Sequence, residues 1–332
     1  MPHSRPLIVV THTVHAETVT LLNASGEVFL CERTPSPQAL AVQAAGATAL
    51  LAFMPDRVDT ALLDACPQLR IVAGAFKGAD NVDVDACSAR GVWVTVAPDL
   101  LSTPTAELAV GLLIAVARRI GEGDAAVRRG QFAGWRPGMH GIGLEGTAVG
   151  IVGMGSLGRA IARRLRGFDC RLSYTDPNVP EMNGLVSVAL EKLLQESAVL
   201  VLAAPLTPAT HRLIDAPRLS LMPPGAVLVN VGRGSTVDEE AVAAALASGR
   251  LAGYAADVFA IEDRSLTHGP SAIPRMLLEH PRSVLTPHLG SAVADVRRAI
   301  ENHAAQSILQ ALAGDRPQGA INMPASYPVQ LR

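Results

Sequence analysis

At 332 residues, with 49% hydrophobic and 17% charged side chains, the chain has the length of two domains and too much apolar material to stay disordered. A formal net charge of -2 lays down no broad basic field, which argues against a nucleic-acid partner, so any anionic ligand must rest on a few placed cations. The four cysteines (Cys31, Cys66, Cys87 and Cys170) are widely spaced and form no C-x-x-C pair, so reduced thiols and no metal site are expected. The start runs into the apolar stretch Leu7 to Val10 without a secretory segment. The longest apolar helix candidate, around Leu108 to Ala117, falls short of the roughly 18 residues that span a bilayer, so a soluble cytoplasmic protein with no membrane contact is expected.

In chain order, Leu7 to Val10 reads as a buried strand, followed by a polar helix at about Ala16 to Asn23 and a strand near Val28 to Cys31. The alternation continues with a helix around Pro37 to Ala45, a strand at Ala49 to Ala52, a helix near Asp59 to Ala65, and strands at Arg70 to Ala73 and Val92 to Val96. Short apolar runs alternating with helical segments predict a parallel sheet covered on both faces. This first unit ends near Pro98. Thr103 then reads as the N-cap of a long helix with Pro104 at its first position and Glu107 in the first turn. Its body, Leu108 to Arg119, is apolar nearly all round and should be buried, against another subunit if need be. The glycine-rich stretch Arg129 to Gly146 reads as an extended arm or loop, since Trp135 and Met139 would otherwise be exposed.

A second alternating unit starts at Thr147, with strands at Ala148 to Val152, Arg171 to Tyr174, Val199 to Ala203, Ala226 to Asn230, Tyr254 to Val258 and Val284-Leu285. A final helix, about Val293 to Leu312, is long enough to run back to the first unit. The expected fold is α/β: two domains with parallel sheets, the cofactor domain (100–292) inserted into the substrate domain (1–99 and 293–332).

Gly153-Met154-Gly155-Ser156-Leu157-Gly158 is G-x-G-x-x-G between a strand and a helix. In that setting the first glycine permits a tight turn, the second lets backbone approach a pyrophosphate, and the third allows close helix–strand packing. Ser156 and Leu157 open the helix whose N-terminal amides would hold phosphates. Asp176 lies 23 residues beyond Gly153, where a carboxylate can accept from ribose hydroxyls and repel a 2′-phosphate. With no adjacent arginine, this predicts NAD over NADP; otherwise Asp176 is a turn residue before Pro177.

Three further residues fall just past strand ends, where catalytic groups gather in such sheets. Arg233 sits in Asn230-Val231-Gly232-Arg233-Gly234 and suits bidentate binding of a carboxylate or phosphorus oxyanion, or else a surface ion pair. Glu262 follows Asp257-Val258-Phe259 in a loop, with Asp263 adjacent, and His288 lies in Thr286-Pro287-His288-Leu289-Gly290-Ser291. Ser291 could also simply cap the last helix, and His12, His15, His211 and His268 have no context that marks them as catalytic.

The blocks G-M-G-S-L-G, V-G-R-G-S-T-V-D, A-A-D-V-F and T-P-H-L-G-S-A, in this order, resemble the D-2-hydroxyacid dehydrogenase family over almost the whole chain. The resemblance implies two Rossmann-like domains, a homodimer built around the long helix and the arm, an active site in the cleft between domains, and an Arg–Glu–His set mapping onto Arg233, Glu262 and His288. It also implies cofactor contacts from Lys77, Thr105, Ala203, Ala204, Pro205, Val231, Asp257 and His288.

A narrower resemblance, to phosphite dehydrogenases, rests on Ala52 to Asp59, Phe76 to Asn81, Gly134 to Pro137, Pro98 to Leu101 and Gly253 to Phe259. It implies substrate contacts from Lys77, Gly78, Met54, Leu101, Trp135 and Ser291. Lys77 carries most of this: a second cation opposite Arg233 suits a dianion and would overcompensate a monocarboxylate, unless Lys77 is a solvated surface lysine. Met54 reads equally as core, and Trp135 as an anchor in the dimer arm. His140 departs from the tyrosine expected there, the segment from Pro177 to Leu190 looks shortened, and Ile261 to Ser271 diverges.

On this reading phosphite is oxidised to phosphate with hydride transfer to NAD, and His288, oriented by Glu262, removes the proton from water. Two alternatives stand beside it. One is an NAD-dependent D-2-hydroxyacid dehydrogenase, or 2-keto acid reductase, in which the same pair protonates a carbonyl oxygen. The other is an NAD(H)-sensing, corepressor-like binding protein.

Overall fold

The computed structural model describes residues 5–97, 99–263 and 269–324; Pro98, His268 and the residues of the 261–271 stretch from 264 to 268 lie outside them. Two compact units result. One holds the described residues up to Leu101 and those from Val293 onward, the other Ser102–Asp263 and residues 269–292.

The first unit is a five-stranded parallel sheet of β1 (Leu7–Val10), β2 (Glu27–Leu30), β3 (Ala49–Ala52), β4 (Ile71–Gly74) and β5 (Trp93–Thr95), in the order β2-β1-β3-β4-β5. β3 and β4 are buried at every position, which is why they read as continuous apolar runs. The helices between strands are α1 (Ala16–Asn23), α2 (Pro37–Gln43), α3 (Thr60–Ala65) and α4 (Val84–Ala89). Side chains of Ser36, Asp59 and Asp83 accept the N–H three residues on and so start α2, α3 and α4. The final helix of the chain, α12 (Ala294–Ala313), belongs to this unit, packs on β3, β4 and β5, and buries Ile300, Ala304, Ile308 and Ala311.

The second unit opens with α5 (Ser102–Ala117), α6 (Ile120–Arg128) and an irregular arm. Its sheet contains β6 (Ala148–Val152), β7 (Arg171–Thr175), β8 (Val186–Ser187), β9 (Val199–Leu202), β10 (Ala226–Asn230), β11 (Leu251–Ala256) and β12 (Ser283–Leu285). The order is β12-β11-β10-β9-β6-β7-β8 and every pairing is parallel. α7 (Ser156–Leu165), α8 (Leu190–Glu196), α9 (Ala216–Leu221), α10 (Glu239–Ala247) and α11 (Arg275–Glu279) cover the faces. The strand order reverses at the β6/β9 boundary, the crevice where ligands of such sheets bind.

Three expectations change. The long helix starts at Ser102, directly after a 3-10 turn at Asp99–Leu101, so Thr103 lies within the helix and does not cap it. The helical run Asp99–Ala117 is 19 residues with mean hydropathy 1.7, long and apolar enough to cross a bilayer, where the sequence reading found it too short. Here α5 packs against α7, β10 and β11, burying Ala106, Ala109, Leu113 and Val116. It is thus a core helix of the second unit. The final helix is capped at Val293 without a side-chain hydrogen bond, so Ser291 does not cap it.

Candidate active site

The turn after β6 has the geometry that its glycines predict. Gly153 has φ +90°, and a Cβ there would fall 2.9 Å from the Ala204 backbone. A Cβ on Gly158 would lie 2.1 Å from the Gly153 carbonyl oxygen, so α7 approaches the strand only because that atom is missing. A Cβ on Gly155 meets nothing within 4 Å. The middle glycine thus faces open space at the N-terminus of α7, as backbone that receives a pyrophosphate must. Ser156 accepts a hydrogen bond from the Ser102 hydroxyl at 3.1 Å, Leu157 packs half-buried on the core, and Val231 is buried. Ala203, Ala204 and Pro205 follow β9 on the far side of the same turn.

Asp176 stands just beyond β7. Its two carboxylate oxygens accept from the Met154 N–H at 2.7 Å and the Asn178 N–H at 2.8 Å. Both readings of this residue are therefore present: it shapes the turn, and it sets a negative charge beside the glycine loop.

The Arg–Glu–His set sits on three successive loops. Arg233 has extended backbone (φ −139°), with its carbonyl held by Asn230 Nδ2 at 2.9 Å and Thr236 Oγ1 at 2.6 Å. Its guanidinium donates from Nη1 to the Gly232 carbonyl at 3.0 Å. Glu262 closes a 3-10 turn, Ala260–Glu262, taking the Phe259 N–H on Oε1 at 2.7 Å and presenting Oε2 to His288 Nδ1 at 2.6 Å. The neighbouring Asp263 turns the other way and accepts the Ser235 N–H at 2.7 Å, which resolves which of the two acids faces the histidine. His288 holds a left-handed backbone (φ +56°), sparsely used by residues other than Gly, Asn and Asp.

Asp257 secures that conformation. It is 1% exposed and accepts from Thr286 Oγ1 (2.6 Å), the Leu289 N–H (2.7 Å) and the Gly290 N–H (2.8 Å). Expected beside the cofactor, it spends both oxygens on the loop that carries His288. A Cβ on Gly290 would lie 2.9 Å from Thr105 Oγ1 and 3.2 Å from Asp257 Oδ2, so the start of α5 converges on the same loop. Sequence reading missed Glu239 altogether. It is buried at the start of α10 and accepts the Ala260 N–H at 2.8 Å; burial, then the nearby charges of Asp263, Glu262 and Glu240, push its carboxyl up to about 6 despite that hydrogen bond.

In the first unit Lys77 and Gly78 follow β4. The Lys77 ammonium lies 2.8 Å from Asp99 Oδ1, so its charge already has a carboxylate beside it. Met54 packs half-buried against the core between the sheet and α2 to α4, and Leu101 against the cluster that includes α12. Trp135, in the irregular arm, is 85% exposed, and Phe132 and Met139 are exposed with it. Among the described residues no group of three or more His, Cys, Asp or Glu side chains could hold a metal ion.

Residues 110–290 match the family described as "D-isomer specific 2-hydroxyacid dehydrogenase, NAD binding domain". Two relatives called glyoxylate reductase, from Thermococcus onnurineus and Pyrococcus furiosus, are each 35% identical over 329 residues, covering 96% of this chain and 96% of their own. A solved protein from Thermus thermophilus is 36% identical with a TM-score of 0.88, covering 95% of this chain and 100% of its own. The NADPH-dependent glyoxylate/hydroxypyruvate reductase of Sinorhizobium meliloti, solved with NADP and malonate, is 30% identical with a TM-score of 0.86, covering 97% and 98%.

Proposed function

Because the chain belongs to the D-isomer specific 2-hydroxyacid dehydrogenase family, we propose that it is a nicotinamide-dependent reductase of a small 2-oxo acid, glyoxylate being the first substrate to test. The single observation behind this is the 2.6 Å contact of His288 Nδ1 with Glu262, on a loop next to that of Arg233 at the carboxyl edge of the sheet. The fit of a dinucleotide rests on the open space at Gly155 and the positive φ of Gly153. Gly153 to Gly158 and the first turn of α7 would hold its phosphates and Asp176 its ribose, favouring NAD over NADP. When bound, the nicotinamide supplies or accepts the hydride.

The protein's own groups do the rest. Arg233 holds the substrate carboxylate: its planar, permanently charged guanidinium suits it to clamp an anion and not to act as a base. Glu262 accepts from Nδ1, which fixes the ring and leaves Nε2 to give a proton to the carbonyl oxygen as it gains negative charge. Glyoxylate, one hydride and one proton balance to glycolate. Assaying NADH consumption with glyoxylate tests the proposal, and no turnover with glyoxylate or a panel of other 2-oxo acids would end it.

A second reading, phosphite oxidation, keeps one specific support: Lys77 within Phe76-Lys77-Gly78-Ala79-Asp80-Asn81, with the other segments of the narrower resemblance. The relatives named above carry no phosphite activity in their names. The argument that a second cation overcompensates a monocarboxylate also weakens, since Asp99 already sits against the ammonium. In this reading Arg233 holds phosphite oxygens and Lys77 is the second cation that the narrower resemblance implies. A water oxygen bonds to phosphorus as His288 takes its proton and the P–H hydride leaves to the acceptor that NAD would supply, giving phosphate. NADH formation from phosphite and NAD decides between the two, and turnover of either separates both from an NAD(H)-sensing binding protein. The exposed side chains of Ile120, Val127, Phe132 and Trp135 on α6 and the arm support a homodimer through this region, which light scattering of the purified protein would test.

A further inference from the structure

The two loops that carry Arg233 and Glu262 are joined by a reciprocal exchange. Arg233 precedes a 3-10 turn, Gly234–Thr236, and Glu262 ends another, Ala260–Glu262. Just past the first turn, Glu239 reaches over to accept the N–H of Ala260 in the second at 2.8 Å. Just past the second, Asp263 reaches back to accept the N–H of Ser235 in the first at 2.7 Å. The turns touch directly: a Cβ on Gly234 would lie 1.8 Å from the Phe259 carbonyl carbon and 2.1 Å from the Ala260 nitrogen. Both carboxylates are buried, Glu239 6% and Asp263 7% exposed.

Fold stability alone does not ask for this. Two buried anions close to the Glu262 carboxylate repel one another, and neutral acceptors would satisfy the same N–H groups without that repulsion. What the arrangement gains is a fixed distance between an anion-holding arginine and a proton-carrying pair that sit on separate loops.

Resting on the roles given above to Arg233, Glu262 and His288, we propose that Glu239 and Asp263 are positioning residues: each clamps the opposite turn by one backbone hydrogen bond, and together they hold Arg233 and the Glu262–His288 pair in register. Neither touches substrate. Glu239 acts on Glu262 through Ala260, and Asp263 acts on Arg233 through Ser235.

The test uses the full chain loaded with NADH and four variants: E239A and D263A, which remove the acceptor, and E239Q and D263N, which keep an acceptor oxygen without the charge. Three quantities are read: NADH affinity, the low-field proton resonance of the His288 Nδ1–H bond to Glu262, and the steady-state constants for whichever substrate the wild type turns over. E239A should lose the resonance and at least about tenfold in kcat, a size typical of small misplacements, with NADH affinity within about twofold. E239Q should keep the resonance and most of kcat. D263A should raise the substrate KM by about tenfold, and D263N should restore it. The proposal is overturned if E239A keeps both resonance and kcat, if E239Q falls as far as E239A, or if NADH affinity drops in step with activity. Should E239A fail to fold, D263A and D263N on the opposite turn decide by the same rule. A wild type that turns over neither substrate sinks the functional reading instead, and the resonance still decides the clamp.

Discussion

His288 Nδ1 and Glu262 Oε2 are 2.6 Å apart although the two residues come from loops after different strands, and His288 reaches that contact from a left-handed backbone. On the proposed reading, the contact occupies Nδ1 and leaves Nε2 for a substrate. Replacing His288 with Ala should lower kcat by about 10²–10⁴-fold, the usual size of a general acid–base contribution, a loss much larger than any change in NADH affinity read by fluorescence titration. Glu262→Gln keeps the shape and loses the charge, so its kcat should fall less. A His288→Ala enzyme with near wild-type kcat would remove the pair from the mechanism.

Lys77 separates the two substrate readings. For glyoxylate, Lys77→Ala should change KM by less than about threefold, because Asp99 already balances the ammonium. For phosphite, loss of a cation that binds the dianion should raise KM by at least about tenfold. Arg233→Ala should raise KM strongly on either reading. Steady-state kinetics of the two variants on both substrates give the answer.

Asp176 makes a prediction about the cofactor. Asp176→Ala removes the charge that repels a 2′-phosphate and also the acceptor of the Met154 N–H. The ratio of kcat/KM for NADH over NADPH should fall at least about tenfold, with some loss for both cofactors as the glycine loop loosens. A wild type that already prefers NADPH would contradict this placement.

Glu239 gives a pH signature. Its carboxyl is pushed from 4.5 up to about 6, so between those values the native state binds more protons here than the unfolded chain does. Stability from this group is therefore highest below about pH 4.5 and is lost as pH rises through about 6. The wild type should lose about 2 kcal/mol relative to E239Q between pH 4.5 and pH 7, read from urea unfolding of both proteins. A difference that stays flat with pH would show that burial does not raise this carboxyl.

Much of this was legible in the sequence for identifiable reasons. β3, β4, β9 and β10 are buried along their whole length and read as unbroken apolar runs. The glycine loop was legible because three separate steric demands fall at fixed spacing. β11 was read too late, because its first half, Leu251-Ala252-Gly253, has no β-branched residue and the register with β10 shifts at its start. α6 was not anticipated: it follows α5 after a single left-handed residue, Arg119, with no proline or glycine between them. Asp257 and Glu239 show why site assignment lagged. Asp257 directly follows a strand and Glu239 opens α10, but their work is to accept backbone N–H groups from chain about 20 to 30 residues away, which no local pattern records.

The apolar helix α5 has a consequence for synthesis on the ribosome. Its helical run ends at Ala117, and β11, which helps to bury it, ends at Ala256, 139 residues later (256 − 117). At ~5–20 residues per second a nascent chain carries that bilayer-length segment without its full cover for roughly 7 to 28 s. This interval gives chaperones and membrane-targeting factors time to compete with folding, so the expression yield of this enzyme should respond to their supply more than the stability of the finished fold suggests.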